Sequence, residues 1–283
     1  MQPLSAEGRV CLNCGNEFTG NFCPRCGQSA GVSRFTFKHA MLKTLDVWGL
    51  GNRSLPRTLW HLVYRPGYMI GDYLEGRQTP FFPPIKMLFL VTTAFLLTVH
   101  VFIPDAERQM ESRSIEAVKG LPDELPVEDM AYSGKDEMLR GFNNFTEGFN
   151  DVMTFFNKNK AFQYIFVHSL FAVLSFWVFR RSPLRKGLTL TECFFAQIFI
   201  ASQFLMLSIL CAWASGGRLL HESMYNLPTY VKYLLLFYDY KQLYGFGWWR
   251  TAWNTAIVIV SWYVVMFILM IGAMAVSVVV VNN

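Results

Sequence analysis

The chain has 283 residues, of which 53% are hydrophobic and only 16% are charged, and 26 of them are phenylalanine. Such a composition excludes a single soluble domain and predicts a polytopic membrane protein. The formal net charge is +5, but the basic residues are scattered along residues 1–86 and beside the apolar runs. Membrane topology explains that distribution better than a phosphate-binding surface does, so we expect no nucleic-acid partner.

Two Cys-x-x-Cys pairs near the N-terminus are the strongest motif in the chain. Cys11 and Cys14 form the first pair, Cys23 and Cys26 form the second, and a glycine follows each. Four thiolates at this spacing can close a tetrahedral metal site in a segment too short for an apolar core. We therefore predict a structural Zn²⁺ in a ribbon over residues 1–34, with iron of the rubredoxin kind as the alternative. Catalysis is not expected there, because four thiolates leave no open position for substrate.

Residues 35–84 predict short amphipathic helices at the membrane interface. Apolar side chains recur at helical spacing from Phe37 to Trp48, a second helix runs from Ser54 to about Tyr64, and a third begins at Pro66. All are too short and too charged to span a bilayer. We expect them to lie in the cytosolic interface or to pack against the transmembrane bundle.

Three arginines of this region are candidate contacts for lipid or for a protein partner, namely Arg57, Arg65 and Arg77. A guanidinium group at headgroup level can meet lipid phosphates or the acidic surface of a partner. The alternative is a collar of internally paired side chains around the bundle.

Residues 85–283 predict an all-α transmembrane bundle of four or five helices. The apolar runs long enough to span are 85–103, 161–179, 193–214 and 253–281. The segment Tyr230–Tyr244 is ambiguous, because it carries an aromatic stripe at spacings of three and four but is short and charged.

The third apolar run also carries a signal for the start of a helix. Glu192 is placed to complement the helix dipole in the first turn, and Thr191 beside it fits the N-cap. Both residues are therefore expected to be structural.

Charge asymmetry predicts the topology of the bundle. The loop 104–160 holds twelve acidic and seven basic residues, whereas four basic residues crowd into 180–186. The positive-inside rule then places the N-terminus and the 180–192 connection in the cytosol, with the acidic loop outside. Thiols that must stay reduced require the same side for the ribbon. Five spans put the C-terminus outside, and four put it inside.

Three ionisable residues in the apolar runs are candidate polar sites within the membrane. Antiparallel packing could bring His100 and His168 together to bind a metal, haem or a proton, although hydrogen-bonded bundle residues are the simpler interpretation. Asp239 is a candidate for a proton or substrate contact. Its alternative is an ion pair with Lys232 or Lys241.

The order of the motifs resembles a known family. The residues that carry the likeness are Cys26-Gly27-Gln28, Arg57-Thr58-Leu59, Tyr64-Arg65-Pro66-Gly67, Asp72-Tyr73-Leu74-Glu75-Gly76-Arg77, Phe82-Pro83-Pro84 and the stretch from Tyr244 through Trp249-Arg250-Thr251. They are similar to domain of unknown function family 3667, a family of bacterial membrane proteins, over nearly the whole chain. The resemblance implies a multi-pass protein of the bacterial inner membrane and no established activity. In that family the third span often opens with Glu-His, whereas Glu192 is followed here by Cys193, which weakens a metal or proton role for this helix.

Two functions are compatible with these features. The first is a non-enzymatic scaffold or docking subunit, which uses the cytosolic ribbon to bind an unknown protein partner and is surrounded by membrane lipids. The alternative is a small-molecule or lipid transporter with a cavity near Asp239 and the Tyr230–Tyr244 stripe. The sequence holds no nucleophile elbow, phosphate-binding glycine loop or metalloprotease motif, so an enzyme is less favoured. The oligomeric state is not predicted.

Overall fold

The computed structural model describes residues 8–30, 54–102, 160–218 and 227–281, with the side chains of 160–164, 270 and 273–281 excepted. The predicted helix from Phe37 to Trp48 and nearly all of the acidic loop 104–160 lie outside these residues.

The described chain is mostly helical, as predicted. Its elements are β1 Arg9–Val10, β2 Glu17–Phe18, α1 Ser54–Tyr64, α2 Pro66–Leu74, α3 Pro84–Phe102, α4 Lys160–Phe179, α5 Leu190–Ser215, α6 Thr229–Tyr244 and α7 Trp248–Val281. We call residues 8–30 the cysteine ribbon and residues 54–83, which contain α1 and α2, the collar. A continuous apolar core joins the collar to helices α3 to α7.

Local sequence explains where the collar helices begin and end. α1 ends at Tyr64 because Pro66 disfavours helical backbone at Arg65, and Pro66 then occupies the first turn of α2, where a missing N–H costs nothing. Thr58 joins the two ends of the collar, since its hydroxyl donates to the Ser54 carbonyl at 2.7 Å and accepts from the Phe82 N–H at 2.8 Å.

Helix α5 is the central helix of the bundle. It begins at Leu190 with a capping box, in which the Thr189 hydroxyl accepts from the Glu192 N–H at 3.2 Å and the Glu192 carboxylate accepts from the Thr189 N–H at 2.9 Å. The N-cap is therefore Thr189, and the prediction of Thr191 was wrong. Glu192 does lie in the first turn, as expected.

Within the described residues, three helices are long and apolar enough to cross a membrane: Pro84–Phe102, Leu190–Ser215 and the part Trp248–Leu269 of α7. This supports the prediction of a membrane protein. The described part of α4, Ile165–Phe179, is a shorter apolar helix. Four or five spans therefore remain a prediction, and so does the membrane concerned.

Helices α3 to α7 alternate in direction. At one end of the bundle, Phe179 at the end of α4 stacks on Tyr244 at the end of α6, with ring centroids 4.2 Å apart. At the other end, Phe102 of α3 meets Trp213 of α5 at 5.1 Å. The collar and the 180–189 connection lie at the first end, because Arg185 is 3.5 Å from Glu75. The two segments that were predicted to be cytosolic therefore share one end of the bundle, and the side of the membrane stays a prediction.

Candidate functional sites: the cysteine ribbon and the polar bundle interior

The cysteine ribbon consists of two similar knuckles. In the first, the N–H of Gly15 donates to the Cys11 carbonyl at 2.8 Å, and in the second the N–H of Gly27 donates to the Cys23 carbonyl at 2.9 Å. Both glycines have a positive φ, 71° and 73°, which a residue with a side chain rarely adopts. These turns place both cysteines of each pair on one side of the backbone.

The four sulfurs form a compact group that fits a tetrahedral metal ion. Sγ of Cys11 lies 3.5 Å from Sγ of Cys26, Sγ of Cys14 lies 3.6 Å from Sγ of Cys23, and all four lie within 4.8 Å of one another. Metal–sulfur bonds of about 2.3 Å in a tetrahedron would separate the sulfurs by roughly 3.8 Å. The ribbon can therefore bind a metal ion through four thiolates. The same geometry suits zinc and iron.

A buried side chain, that of Gln28, attaches the cysteine ribbon to the collar. Gln28, which is 3% exposed, donates from Nε2 to the Gly76 carbonyl at 2.9 Å and accepts at Oε1 from the Thr79 hydroxyl at 2.9 Å. The Gln28 carbonyl also accepts a hydrogen bond from the Cys23 N–H at 2.8 Å, which closes the second knuckle. The residue that closes the second knuckle is thus also the residue that holds the ribbon on the collar.

Two of the three candidate arginines are paired within the collar. Asp72 accepts from Arg77 at 3.1 Å and from Arg65 at 3.5 Å, whereas Arg57 is exposed. Arg65 also donates from Nε to Nδ1 of His61 at 2.9 Å. Burial, together with the charges of Arg65 and Arg57, lowers the pKa of His61, so the neutral ring accepts this bond. These contacts favour the paired collar, and lipid binding by the three arginines stays a prediction.

Arg185 is a positioning residue that the sequence interpretation did not single out. Its guanidinium group packs over Gly71, donates from Nε to the Leu243 carbonyl at 3.3 Å and lies 3.5 Å from Glu75. Because the group is only 11% exposed, it links the collar, the α4–α5 connection and α6 from within. In the sequence, Arg185 is one of four basic residues in 180–186, and that cluster was interpreted only as a signal of membrane topology.

A close backbone approach joins α2 to α6 at Gly67. A Cβ added at Gly67 would collide with the Asp239 carbonyl and lie 2.5 Å from Cβ of Gln242, and the Gly67 N–H donates to Gln242 Oε1 at 3.1 Å. The sequence pattern Gly67-x-x-x-Gly71 permits close helix contact and was the signal that could have predicted this approach.

A buried polar group, the Gln197 cluster, lies between α4, α5 and α6. Nε2 of Gln197 donates to the Tyr240 hydroxyl at 2.7 Å and to the Ser175 hydroxyl at 3.2 Å, and these two hydroxyls are 2.7 Å apart. Oε1 of Gln197 lies 3.2 Å from Nδ1 of His168. Since an amide oxygen only accepts, this nitrogen carries the proton. The cluster satisfies polar groups that would otherwise be costly to bury.

The two candidate histidines lie in different environments. His168 is buried in the Gln197 cluster, and its main partner is an amide, as the simpler interpretation expected. His100 is exposed in the last turn of α3. Among the described residues, the four cysteines are the one group of three or more potential ligands close enough to hold a metal.

Asp239 is fully buried and has an amide partner. Its Oδ1 accepts from Gln203 Nε2 at 3.4 Å, whereas its Oδ2 has no partner among the described residues. The alternative of an ion pair was wrong: Lys241 lies over the Trp248 ring at 5.3 Å, and Lys232 lines a cavity.

The aromatic stripe of α6 divides into three parts. Tyr230 is 68% exposed, Tyr233 faces a cavity of about 270 Å³, and Tyr240 and Tyr244 are fully buried against Phe179. This cavity is lined by Val167, His168, Phe171, Gln197, Phe204, Thr229, Lys232, Tyr233, Leu236 and Trp262. Asp239 is not among them. The cavity therefore adjoins the predicted stripe at Tyr233, and the lining residue nearest to Asp239 along α6 is Leu236, which is less than one turn away.

The family model described as protein of unknown function (DUF3667) matches residues 53–96, from the start of α1 into α3. The resemblance predicted from the sequence is thereby confirmed over this segment, which contains Gly67, Asp72 and the Gly76–Thr79 turn that binds Gln28. No curated protein and no solved structure matches the chain.

Proposed function

We propose that this chain, which matches the DUF3667 model from the collar into α3, is a non-enzymatic membrane scaffold that binds a protein partner between the cysteine ribbon and the collar. The observation that carries the proposal is a recess of about 490 Å³ at that junction. Its walls come from three separate parts of the chain: Leu12 of the ribbon, Leu74 and Glu75 of the collar, and the connection from Pro183 to Lys186, with Glu192 beside it.

The lining indicates the chemistry of the partner. Leu12 and Leu184, which both line the recess, are 46% and 57% exposed, so apolar side chains from two parts of the chain already face solvent. Lys186 and Glu75 add one charge of each sign at the rim. We expect a segment that inserts an apolar side chain between the leucines and carries polar groups on either side.

The metal site supports a structural contribution to this surface. Four thiolates would complete a tetrahedral shell around a metal ion, and Gln28 bonds the second knuckle to the collar. A partner that contacts Leu12 is therefore coupled to the membrane helices through a fixed geometry.

Site-specific photo-crosslinking in native membranes tests the proposal. A photoreactive residue at Leu12 or Leu184 should give a discrete adduct, and the same residue at Phe22 should not, because Phe22 is 63% exposed on the same ribbon but does not line the recess. Gln28→Ala should weaken the adduct. Equal labelling from Leu12 and Phe22, or a Leu12 adduct that survives loss of the cysteines, would contradict the proposal.

A transporter or lipid-handling protein is the second candidate, because a cavity does exist beside the aromatic stripe. It is supported by Lys232 and Tyr233 on one wall and Phe171 and Trp262 on another. Solid packing of Tyr240 and Tyr244 counts against a continuous pathway along the stripe toward the collar.

A further inference from the structure

The cavity between α4, α5, α6 and α7 has an uneven distribution of charge. Among the described residues that line it, Lys232 is the one with a side chain that is ordinarily charged at neutral pH, and none is an aspartate or glutamate. The Lys232 ammonium group makes no hydrogen bond or ion pair within the part of the chain that the structure describes. A cation in a largely apolar bundle without a protein counter-charge is costly, so an anion at this position would be stabilised.

Other polar groups of the cavity surround the same region. The Tyr233 and Thr229 hydroxyls and the Gln197 amide belong to its lining, and Tyr233 and Lys232 are neighbours on α6. The Thr229 and Tyr233 hydroxyls can donate hydrogen bonds to an anionic oxygen, Tyr233 while it accepts from Tyr263, whereas both N–H bonds of Gln197 are already used by Tyr240 and Ser175. The cavity thus combines one positive charge with two neutral donors.

The remaining walls are apolar and aromatic. Phe171 stacks on Trp262 with ring centroids 4.7 Å apart, and Phe204 and Leu236 complete this side. The volume of about 270 Å³ equals that of about nine water molecules at roughly 30 Å³ each. It can hold a headgroup and a short apolar portion, and exposed Thr229 marks the open edge through which a longer chain can leave.

We propose that this cavity binds an amphiphile with an anionic oxygen headgroup, which lies at Lys232 while the adjoining apolar part lies against Phe171, Phe204 and Trp262. This binding site goes beyond the scaffold function and does not depend on the ribbon. A free fatty acid and the headgroup of an anionic phospholipid share the chemistry that the site recognises.

Quenching of tryptophan fluorescence by brominated ligands tests the proposal on the full chain in phosphatidylcholine nanodiscs at pH 8. Dibromostearic acid and dibrominated phosphatidylglycerol are the two anionic probes, and the methyl ester of dibromostearic acid is the neutral control. At least one anion should give saturable quenching that the ester does not give. Trp262→Phe should remove most of that component. Which anion saturates identifies the source of the headgroup.

Matched variants on α6 separate charge recognition from partitioning into the bilayer. Lys232→Met should raise the anion concentration for half-maximal quenching about tenfold, as expected for a lost hydrogen bond to a charged group. Lys232→Arg and Lys241→Met should bind like the original protein, because the first keeps the charge and the second removes one outside the cavity. Equal quenching by acid and ester, saturable quenching that persists in Trp262→Phe, or equal effects of Lys232→Met and Lys241→Met would overturn the proposal.

Discussion

The cysteine ribbon and the interior of the bundle are stabilised in different ways. The buried apolar residues of the ribbon are only Cys11, Phe18 and Cys23, so we expect its fold to depend on a metal ion bound by the thiolates. The bundle buries the Gln197 cluster inside a large apolar core, where each polar contact is one among many. Loss of one ligand should therefore unfold the ribbon as a unit, whereas loss of one contact in the bundle should have a graded effect.

The largest effect is expected from the cysteines. Cys11→Ser with Cys14→Ser removes two of four thiolates, and structural zinc binding contributes on the order of 10 kcal/mol to small metal domains. Bound metal should fall from one equivalent to none, and residues 8–30 should lose protection in hydrogen exchange. The bundle should keep its helicity by circular dichroism. Cys211→Ser, which removes a thiol outside the cluster, is the control and should retain the metal.

The contact between α2 and α6 should give the next largest effect. Gly67→Ala places a methyl group against the backbone of α6 and should destabilise the protein by about 1–3 kcal/mol, measured as unfolding in mixed micelles. Gly71→Ala on the same helix meets only the guanidinium group of Arg185, which can move, and should cost less. The opposite order would show that the close approach is not a determinant of packing.

The Gln197 cluster should show the graded response of the bundle. Gln197→Leu leaves buried His168 and Tyr240 without their amide partner and should cost about 1–3 kcal/mol in the same unfolding measurement. Ser208→Ala is the matched control on α5, because its hydroxyl bonds only to the Phe204 carbonyl of its own helix. Indistinguishable stabilities for the two variants would argue against a structural role of the cluster.

The smallest effect concerns the collar and is pH-dependent. The pKa of His61 is lowered in the folded state, so on acidification the unfolded chain takes up this proton first. The stabilisation is therefore complete well above the unfolded pKa of about 6.5 and decreases as the pH falls through it toward the folded pKa. His61→Gln should reduce the slope of melting temperature against pH between 7 and 5. An unchanged slope would refute the neutral, accepting state of His61.

Local patterns predicted much of the fold, because their causes lie within a few residues. The bounds of α1 follow from Ser54 and from Pro66, and the knuckles follow from cysteine spacing and glycine. The capping box of α5 was also readable, since Thr189 stands three residues before Glu192 as that motif requires. Thr191 was the wrong choice because it directly precedes Glu192, whereas a capping box requires a spacing of three residues.

The candidate sites were less predictable, because their partners are distant in sequence. Gln28 bonds to a carbonyl 48 residues away, and Gly67 bonds to a side chain 175 residues away. For Asp239, charge pairing pointed to lysines on its own helix, but Lys232 lies about two turns away and Lys241 lies on another face, which leaves a glutamine of α5 as the partner. No periodicity within one helix reveals which neighbouring helix lies opposite each face.

The approach of Gly67 to α6 also constrains how the protein is made. During synthesis, α2 emerges about 170 residues before the segment that will lie against it, since Gln242 follows Gly67 by 175 positions. Helices α3, α4 and α5 must therefore be inserted while the glycine face of α2 has no partner. Arrival of α6 then covers that face and brings the Leu243 carbonyl to Arg185 in the same step. The contact between α2 and the last turns of α6 is therefore expected to form late in assembly.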